Sequence, residues 1–171
     1  MSTLIFSCNT GEGHNSAARA IKHVYELHGR ESSVVDALSV FPEKASEIIC
    51  SGHTALYRHM PKLFGAGYRY FEKKTGKETS VVCELLAKGA RSLYGRIRQN
   101  NCETVISTHP FAALMLAKIK RDIDPGLMMG FVSTDYTCSP FVNQCGADLY
   151  FIPHETLTEE FVAKGVPEDK I

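Results

Sequence analysis

The stretch that most constrains the fold is a short apolar run followed by two glycines and a helical pattern. Residues 3–8 form an apolar run of the length of a buried strand, and apolar side chains recur at helical spacing over residues 17–25. Gly11 and Gly13 lie between them, and a second apolar run follows at 33–38. A strand, a helix and a strand in this order predict a right-handed βαβ unit. The sheet is therefore parallel, with the glycine turn at its carboxyl edge.

The glycine turn has the features of an anion-binding site. Glycine allows positive φ and close approach of another molecule, and the following helix offers unpaired N–H groups and a positive dipole end. His14 comes directly after Gly13 and can hydrogen-bond a hydroxyl or phosphate, or accept a proton near neutral pH. The alternative is a solvated histidine in the first helical turn. Ser16 replaces the third glycine of a dinucleotide fingerprint, so the turn alone does not specify the ligand.

Composition excludes some classes of protein. The 171 residues are 44% hydrophobic, which is enough for one domain with its own core. Nineteen basic and nineteen acidic residues leave no net charge, which argues against nucleic-acid binding by bulk charge. The six cysteines are scattered without a C-x-x-C pair, and we find neither a signal peptide nor an apolar run of about 18 residues. We therefore expect a cytoplasmic protein without a membrane span.

Later strands bring further polar residues to the same edge of the sheet. Thr108 and His109 follow one predicted strand, and Asp135 with Tyr136 follows the next. Since the carboxyl ends of parallel strands share an edge, we expect these residues to converge with the turn at 11–14 in one crevice. The predicted fold is a Rossmann-like α/β domain with a mostly parallel sheet and helices on both faces. The apolar patterns predict a helix at 80–99 and strands at 103–107, 127–132 and 147–152.

A segment at residues 53–79 mixes aromatic and basic side chains with glycines. An interfacial or lid segment has this composition, with rings at headgroup depth and cations against anionic lipid. The alternative is an insertion whose aromatic side chains pack into the core and whose lysines are solvated. The candidate membrane residues are Leu63, Phe64, Tyr68, Arg69, Tyr70, Lys73 and Lys74.

Two other sites stay open on the residues alone. Asp36 ends the second strand about where a ribose-binding carboxylate would lie, although a loop or cap aspartate is the simpler interpretation. Cys138, Cys145 and His109 could be considered as metal ligands, but their spacing fits no common zinc site. We therefore expect no metal site.

Four short motifs occur in a fixed order along the chain. They are Gly-Glu-Gly-His-Asn-Ser-Ala-Ala at 11–18, Pro-Lys-Leu-Phe-Gly at 61–65, Ser-Thr-His-Pro-Phe at 107–111 and Thr-Asp-Tyr at 134–136. Together they resemble the monogalactosyldiacylglycerol synthase and processive diacylglycerol glucosyltransferase family, over essentially the whole chain. The turn is also similar to that of the peptidoglycan lipid-intermediate glycosyltransferase. The resemblance implies the amino-terminal, acceptor-side half of a GT-B glycosyltransferase, whose carboxyl-terminal donor-binding domain is absent from residues 1–171.

The resemblance also implies a reaction and a location. The full-length enzyme would move a hexose from a UDP-sugar to diacylglycerol or a related lipid with inversion, without a metal or other cofactor. The UDP-sugar would be held mainly by the second domain, and this half alone would be inactive. The protein would be peripheral on the anionic inner face of the cell membrane. A nucleotide-binding or lipid-surface regulatory module without transfer chemistry is the alternative.

Residue roles follow from the matching positions. His14 matches the glycine-loop histidine of the family, which acts as a base or orients the acceptor hydroxyl. Asp135 matches a cleft position, where it would orient His14 or bind sugar or glycerol hydroxyls. The residues implied at the donor phosphates and the cleft are Gly11, Glu12, Gly13, Thr108 and His109. The resemblance also implies that the membrane residues at 53–79 form the entrance for the acceptor.

Overall fold

A parallel sheet organises the domain. The computed structural model describes residues 2–47, 49–50, 81–139 and 141–171. In this part of the chain, five strands pair in the order β2-β1-β3-β4-β5, and every pairing is parallel. The strands are β1 (Thr3–Ser7), β2 (Ser32–Asp36), β3 (Thr104–Ser107), β4 (Met128–Val132) and β5 (Leu149–Phe151). The predicted strands and their parallel arrangement are confirmed.

Helices connect the strands and begin and end at residues suited to those positions. Pro110 opens one helix at a position where a missing N–H costs nothing. Gly29 and Gly165 follow two other helices with φ of 64° and 91°, a left-handed conformation that glycine adopts without strain. The helices are α1 (Glu12–Leu27), α2 (Val81–Gln99), α3 (Pro110–Asp122) and α4 (Thr158–Ala163), with 3₁₀ turns at Ala37–Val40, Val142–Gln144, Glu155–Leu157 and Glu168–Lys170.

The sheet is covered on both faces. Alternation along β1 places Leu4 and Phe6 on one face and Ile5 on the other. Leu4 and Phe6 belong to a core cluster that includes Leu93 of α2 and Leu116 of α3. Ile5 is fully buried outside that cluster, on the side where α1 packs against β1 and β2. Helices on opposite faces of a parallel sheet confirm the predicted α/β class.

The strand order determines where a ligand crevice can open. β1 pairs with β2 on one side and with β3 on the other. The chain therefore turns one way after β1 and the opposite way after β3, and the two loops diverge at the carboxyl edge. Open α/β sheets bind their ligands at such a switch point. The turn after β1 and residues 107–109 lie on its two sides.

Helices α2 and α3 approach each other closely at a glycine. Gly89 of α2 is buried against the 3₁₀ turn that follows β2. A Cβ atom there would lie 2.6 Å from Phe41 Cζ and 2.9 Å from both Met115 Cε and Val40 Cγ2. Three side chains would have to move to admit one methyl group, so the packing of α2 depends on glycine at this position.

We expect Gly89→Ala to lower the free energy of unfolding by about 1–2 kcal/mol, because it overpacks this contact. Gly95→Ala in the same helix is the matched control, since a Cβ there meets no atom within 4 Å. It should raise the free energy of unfolding by up to about 1 kcal/mol, because alanine is the better helix former. Urea unfolding of both variants measures the difference. Equal changes in the free energy of unfolding of the two variants would contradict the close packing around Gly89.

The predicted membrane and acceptor residues at 53–79 lie outside the described residues. Helical residues are also described at 43–47 and 49–50. No helix in the described ranges combines the length and the apolar character needed to cross a bilayer.

Candidate functional site

The glycine turn leaves open space at the start of α1. Gly11 precedes the helix with φ of 174° and ψ of 156°, which is extended backbone. Gly13 lies in the first turn, because α1 already begins at Glu12. Neither glycine uses the positive φ that glycine allows. A Cβ at either would meet no atom within 4 Å, so no contact in the described chain requires glycine there.

His14 is held by oxygen atoms from two other strand ends. Its Nδ1 lies 2.7 Å from the carbonyl oxygen of Thr108 and 2.7 Å from Oγ1 of Thr134. A carbonyl oxygen only accepts hydrogen bonds, so the network assigns the proton to Nδ1. In the neutral ring the lone pair is then on Nε2. Thr108 Oγ1 also donates to the carbonyl oxygen of His14 at 3.1 Å.

His109 carries its proton on the opposite ring nitrogen. Its Nδ1 accepts from the backbone N–H of Phe111 at 3.0 Å and caps α3. Its Nε2–H therefore donates to Thr10 Oγ1 at 2.7 Å. His109 is 2% exposed, and its ring centroid lies 4.4 Å from that of His14 at an interplanar angle of 62°. His109 thus links the glycine turn to α3 from within the protein.

A chain of polar side chains fixes the base of the turn. Ser7 Oγ donates to Asn15 Oδ1 at 2.7 Å, and Asn15 Nδ2 donates to Asn9 Oδ1 at 3.1 Å. Asn9 Nδ2 then donates to Asp36 Oδ2 at 2.9 Å. The other oxygen of Asp36 accepts from Leu38 N, so Asp36 caps the 3₁₀ turn that follows β2. The cap interpretation of Asp36 is confirmed.

The thiol beside the turn is not a reactive group. Cys8 follows β1 and is fully buried. Burial, and next the charge of Asp36, raises the pKa of the Cys8 thiol well above its usual value. The thiolate is the nucleophilic form of cysteine, and this environment disfavours it. Cys8 therefore packs as a small apolar side chain.

The metal alternative receives no support from the geometry. Cys138 Sγ lies 3.7 Å from the carbonyl oxygen of Ser139, and Cys145 Sγ lies 3.4 Å from that of Phe141. His109 directs its ring nitrogens to the two partners given above. Within the described ranges, no three His, Cys, Asp or Glu side chains form a group that could hold a metal ion.

The structure brings some predicted site residues together and leaves others apart. His14 and Thr108 are in direct contact. Glu12 is exposed and forms a 2.8 Å ion pair with Arg19 on the surface of α1. Asp135 is exposed after β4, and only its backbone oxygen is hydrogen-bonded among the described residues. The roles predicted for these side chains stay predictions.

Sequence reasoning missed Thr10, Asn15 and Thr134. Thr134 precedes Asp135 in the Thr-Asp-Tyr motif, and its position after a predicted strand could have identified it as a site residue. Thr10 and Asn15 flank the glycine turn. The side chain of Thr10 contacts His109, which is distant in sequence, and that of Asn15 contacts Ser7 and Asn9 only in the folded turn. Side-chain direction within a turn is set by the folded backbone, so residue type alone did not identify them.

Comparison with protein families supports the motif resemblance. A family model described as monogalactosyldiacylglycerol (MGDG) synthase matches residues 14–171. The matched region begins at His14 and includes all of the sheet after β1. The chain belongs to the MGDG synthase family. Comparisons with curated proteins and with solved structures gave no match.

Membership in the MGDG synthase family identifies the amino-terminal domain of a glycolipid glycosyltransferase. The predicted family is confirmed. The parallel sheet with helices on both faces is the Rossmann-like half expected of a GT-B glycosyltransferase. His14, Thr108 and Thr134 all lie within the residues matched by the MGDG synthase model, whereas Gly11 and Gly13 precede them.

We expect His109→Ala to lower the free energy of unfolding of this MGDG synthase family chain by about 2 kcal/mol. It removes the cap of α3 and the part-buried hydrogen bond to Thr10. His109→Asn should recover about half of that loss, because asparagine Oδ1 can replace Nδ1 as the acceptor from Phe111. Urea unfolding at equilibrium tests both variants. An equal loss in both would contradict the capping role.

Proposed function

We propose that this chain is the acceptor-side domain of an enzyme that transfers a hexose from a UDP-sugar to diacylglycerol or a related lipid, with inversion. The carrying observation is the environment of His14. Its Nδ1–H is held by the Thr108 carbonyl and the Thr134 hydroxyl, which leaves the lone pair on Nε2. Family membership supplies the class of reaction, and this histidine supplies the base that the reaction needs.

The proposed chemistry is a single displacement. Nε2 of His14 takes the proton of the acceptor hydroxyl as its oxygen attacks the anomeric carbon. A carbon–oxygen bond forms to the lipid, the bond to the phosphate oxygen breaks, and the electron pair leaves with UDP. Attack opposite to the leaving group inverts the anomeric carbon. The imidazolium that forms keeps its Nδ1–H bonded to oxygen, which stabilises its charge.

The glycine turn is suited to the leaving diphosphate. α1 begins without a side-chain cap, and the space around Gly11 and Gly13 is open. Backbone N–H groups and the helix dipole can then stabilise negative charge as the bond to UDP breaks. The proposal includes no metal ion or other cofactor, since the UDP-sugar is a co-substrate. Asp36 is engaged by Asn9 and Leu38, which disfavours the alternative of a nucleotide module built on its carboxylate.

The enzyme makes further contacts with its substrates and with the membrane. Asp135, exposed at the carboxyl edge of the sheet, hydrogen-bonds hydroxyls of the sugar or of glycerol. A second domain of the full-length protein holds most of the UDP-sugar, so residues 1–171 alone are inactive. The segment at 53–79 contacts an anionic membrane surface, and the enzyme acts as a peripheral protein on the cytoplasmic face.

His14→Ala in the full-length enzyme should lower kcat by about 10²–10⁴, because it removes the base. His23→Ala is the matched control, since His23 is exposed on the same helix. The measurement is hexose transfer from UDP-glucose or UDP-galactose to diacylglycerol vesicles, with vesicle binding followed separately. An unchanged kcat in folded His14→Ala protein would exclude His14 as the base. Absence of transfer by the unaltered enzyme, with vesicle binding intact, would favour the regulatory module.

Substitution of Leu63, Phe64 and Tyr68 by serine together should weaken binding to anionic diacylglycerol vesicles by about tenfold or more, because it removes apolar area from the interface. Val24→Ser with Leu27→Ser is the matched control, because these side chains are 50% and 70% exposed on α1. Vesicle co-sedimentation measures both. Unchanged binding of the folded triple variant would exclude the membrane role of this segment.

A further inference from the structure

We propose that Thr134 is a positioning residue that sets the orientation of the His14 ring, an inference that rests on the proposed function and deepens it. Thr134 is half-buried in the loop directly after β4. Its Oγ1 lies 2.7 Å from His14 Nδ1, the same distance as the Thr108 carbonyl oxygen. Two oxygen atoms from different strand ends therefore share one N–H donor.

The two acceptors have different effects on the ring. A single hydrogen bond from Nδ1 to the Thr108 carbonyl favours the proton on Nδ1, but it still allows the ring to tilt about that bond and so to weaken it. A second acceptor on another loop restricts the tilt, since one bond defines a line and two define a plane. A ring flip would turn a carbon-bound hydrogen toward both oxygen atoms and lose both hydrogen bonds. Thr134 thus favours one tautomer and one ring plane.

The surroundings of the ring make this orientation specific. His109 packs edge-on against His14 with ring centroids 4.4 Å apart and limits movement toward α3. Its own Nε2–H is directed to Thr10, so it does not compete for the oxygen atoms around His14 Nδ1. Because the loops after β3 and β4 both hold Nδ1, the lone pair of Nε2 points in one fixed direction. Proton abstraction is sensitive to such aim, because reacting atoms must lie within hydrogen-bond reach.

The test compares three variants of the full-length enzyme. Thr134→Val keeps the shape and removes the hydroxyl, Thr134→Ser keeps the hydroxyl, and Thr137→Val alters an exposed threonine in the same loop. We expect Thr134→Val to lower kcat by about five- to tenfold with KM for both substrates unchanged, as for loss of one hydrogen bond. Thr134→Ser should restore kcat to within about twofold, and Thr137→Val should have no effect.

A second readout does not depend on transfer. Nitrogen-15 spectra of histidine-labelled protein distinguish protonated from unprotonated ring nitrogens. In the unaltered enzyme we expect His14 to carry its proton on Nδ1, and in Thr134→Val we expect a share of the Nε2–H form to appear. Thr134→Ser should give the unaltered spectrum. If the valine variant does not fold, Thr134→Ala replaces it in both measurements.

The outcomes separate the two proposals. Unchanged His14 signals in Thr134→Val overturn the positioning role, and so does an equal loss of kcat in the valine and serine variants. Altered His14 signals in Thr134→Val with an unchanged kcat support the role of Thr134 in orienting the ring, but they overturn the proposal that His14 is the base. Altered signals together with a lower kcat that serine restores support both.

Discussion

The parallel pairing of β1 with β3 is the constraint on which the site depends. In the observed register Phe6 lies opposite Ser107, and the backbone N–H of Thr108 continues the ladder to the carbonyl oxygen of Phe6. This register brings the start of α1 beside the loop after β3, so His14 can donate to the Thr108 carbonyl. A slip by one residue would exchange the two faces of β3 and bury the wrong side chains. The apolar core that fixes the register therefore also fixes the histidine.

Much of the fold could be predicted because its signals are local. The apolar runs of β1 and β4 are too short for helices, and the glycines at 29 and 165 occupy left-handed positions after helices, as their sequence positions suggest. Pro110 in the first turn of α3 is equally local. The convergence of loops at one edge followed from the parallel sheet alone. These features need no knowledge of which strand pairs with which.

The interior of the site could not be predicted in the same way. The contact between His14 and Thr134 joins residues 120 positions apart, and it exists only because β3 and β4 are neighbours. The opposite tautomers of the two histidines depend on a carbonyl oxygen and a backbone N–H, which every residue has and no sequence pattern reveals. The conformation of Gly11 could not be predicted for a related reason. Helix α1 begins earlier than the apolar pattern indicated, and an extended Gly11 suffices to enter it.

Burial divides the site into a rigid layer and an open one. Ser107, Thr108 and His109 are almost fully buried, and each makes side-chain hydrogen bonds. Buried polar groups of this kind are costly when unpaired and rigid when paired, so the layer resists rearrangement. Gly11, Gly13 and Asp135 are exposed above it. A ligand contacts the exposed layer first, whereas the buried layer sets the geometry of His14. Substitutions in the buried layer therefore change stability and site geometry together, and those in the open layer change ligand contacts with little effect on the fold.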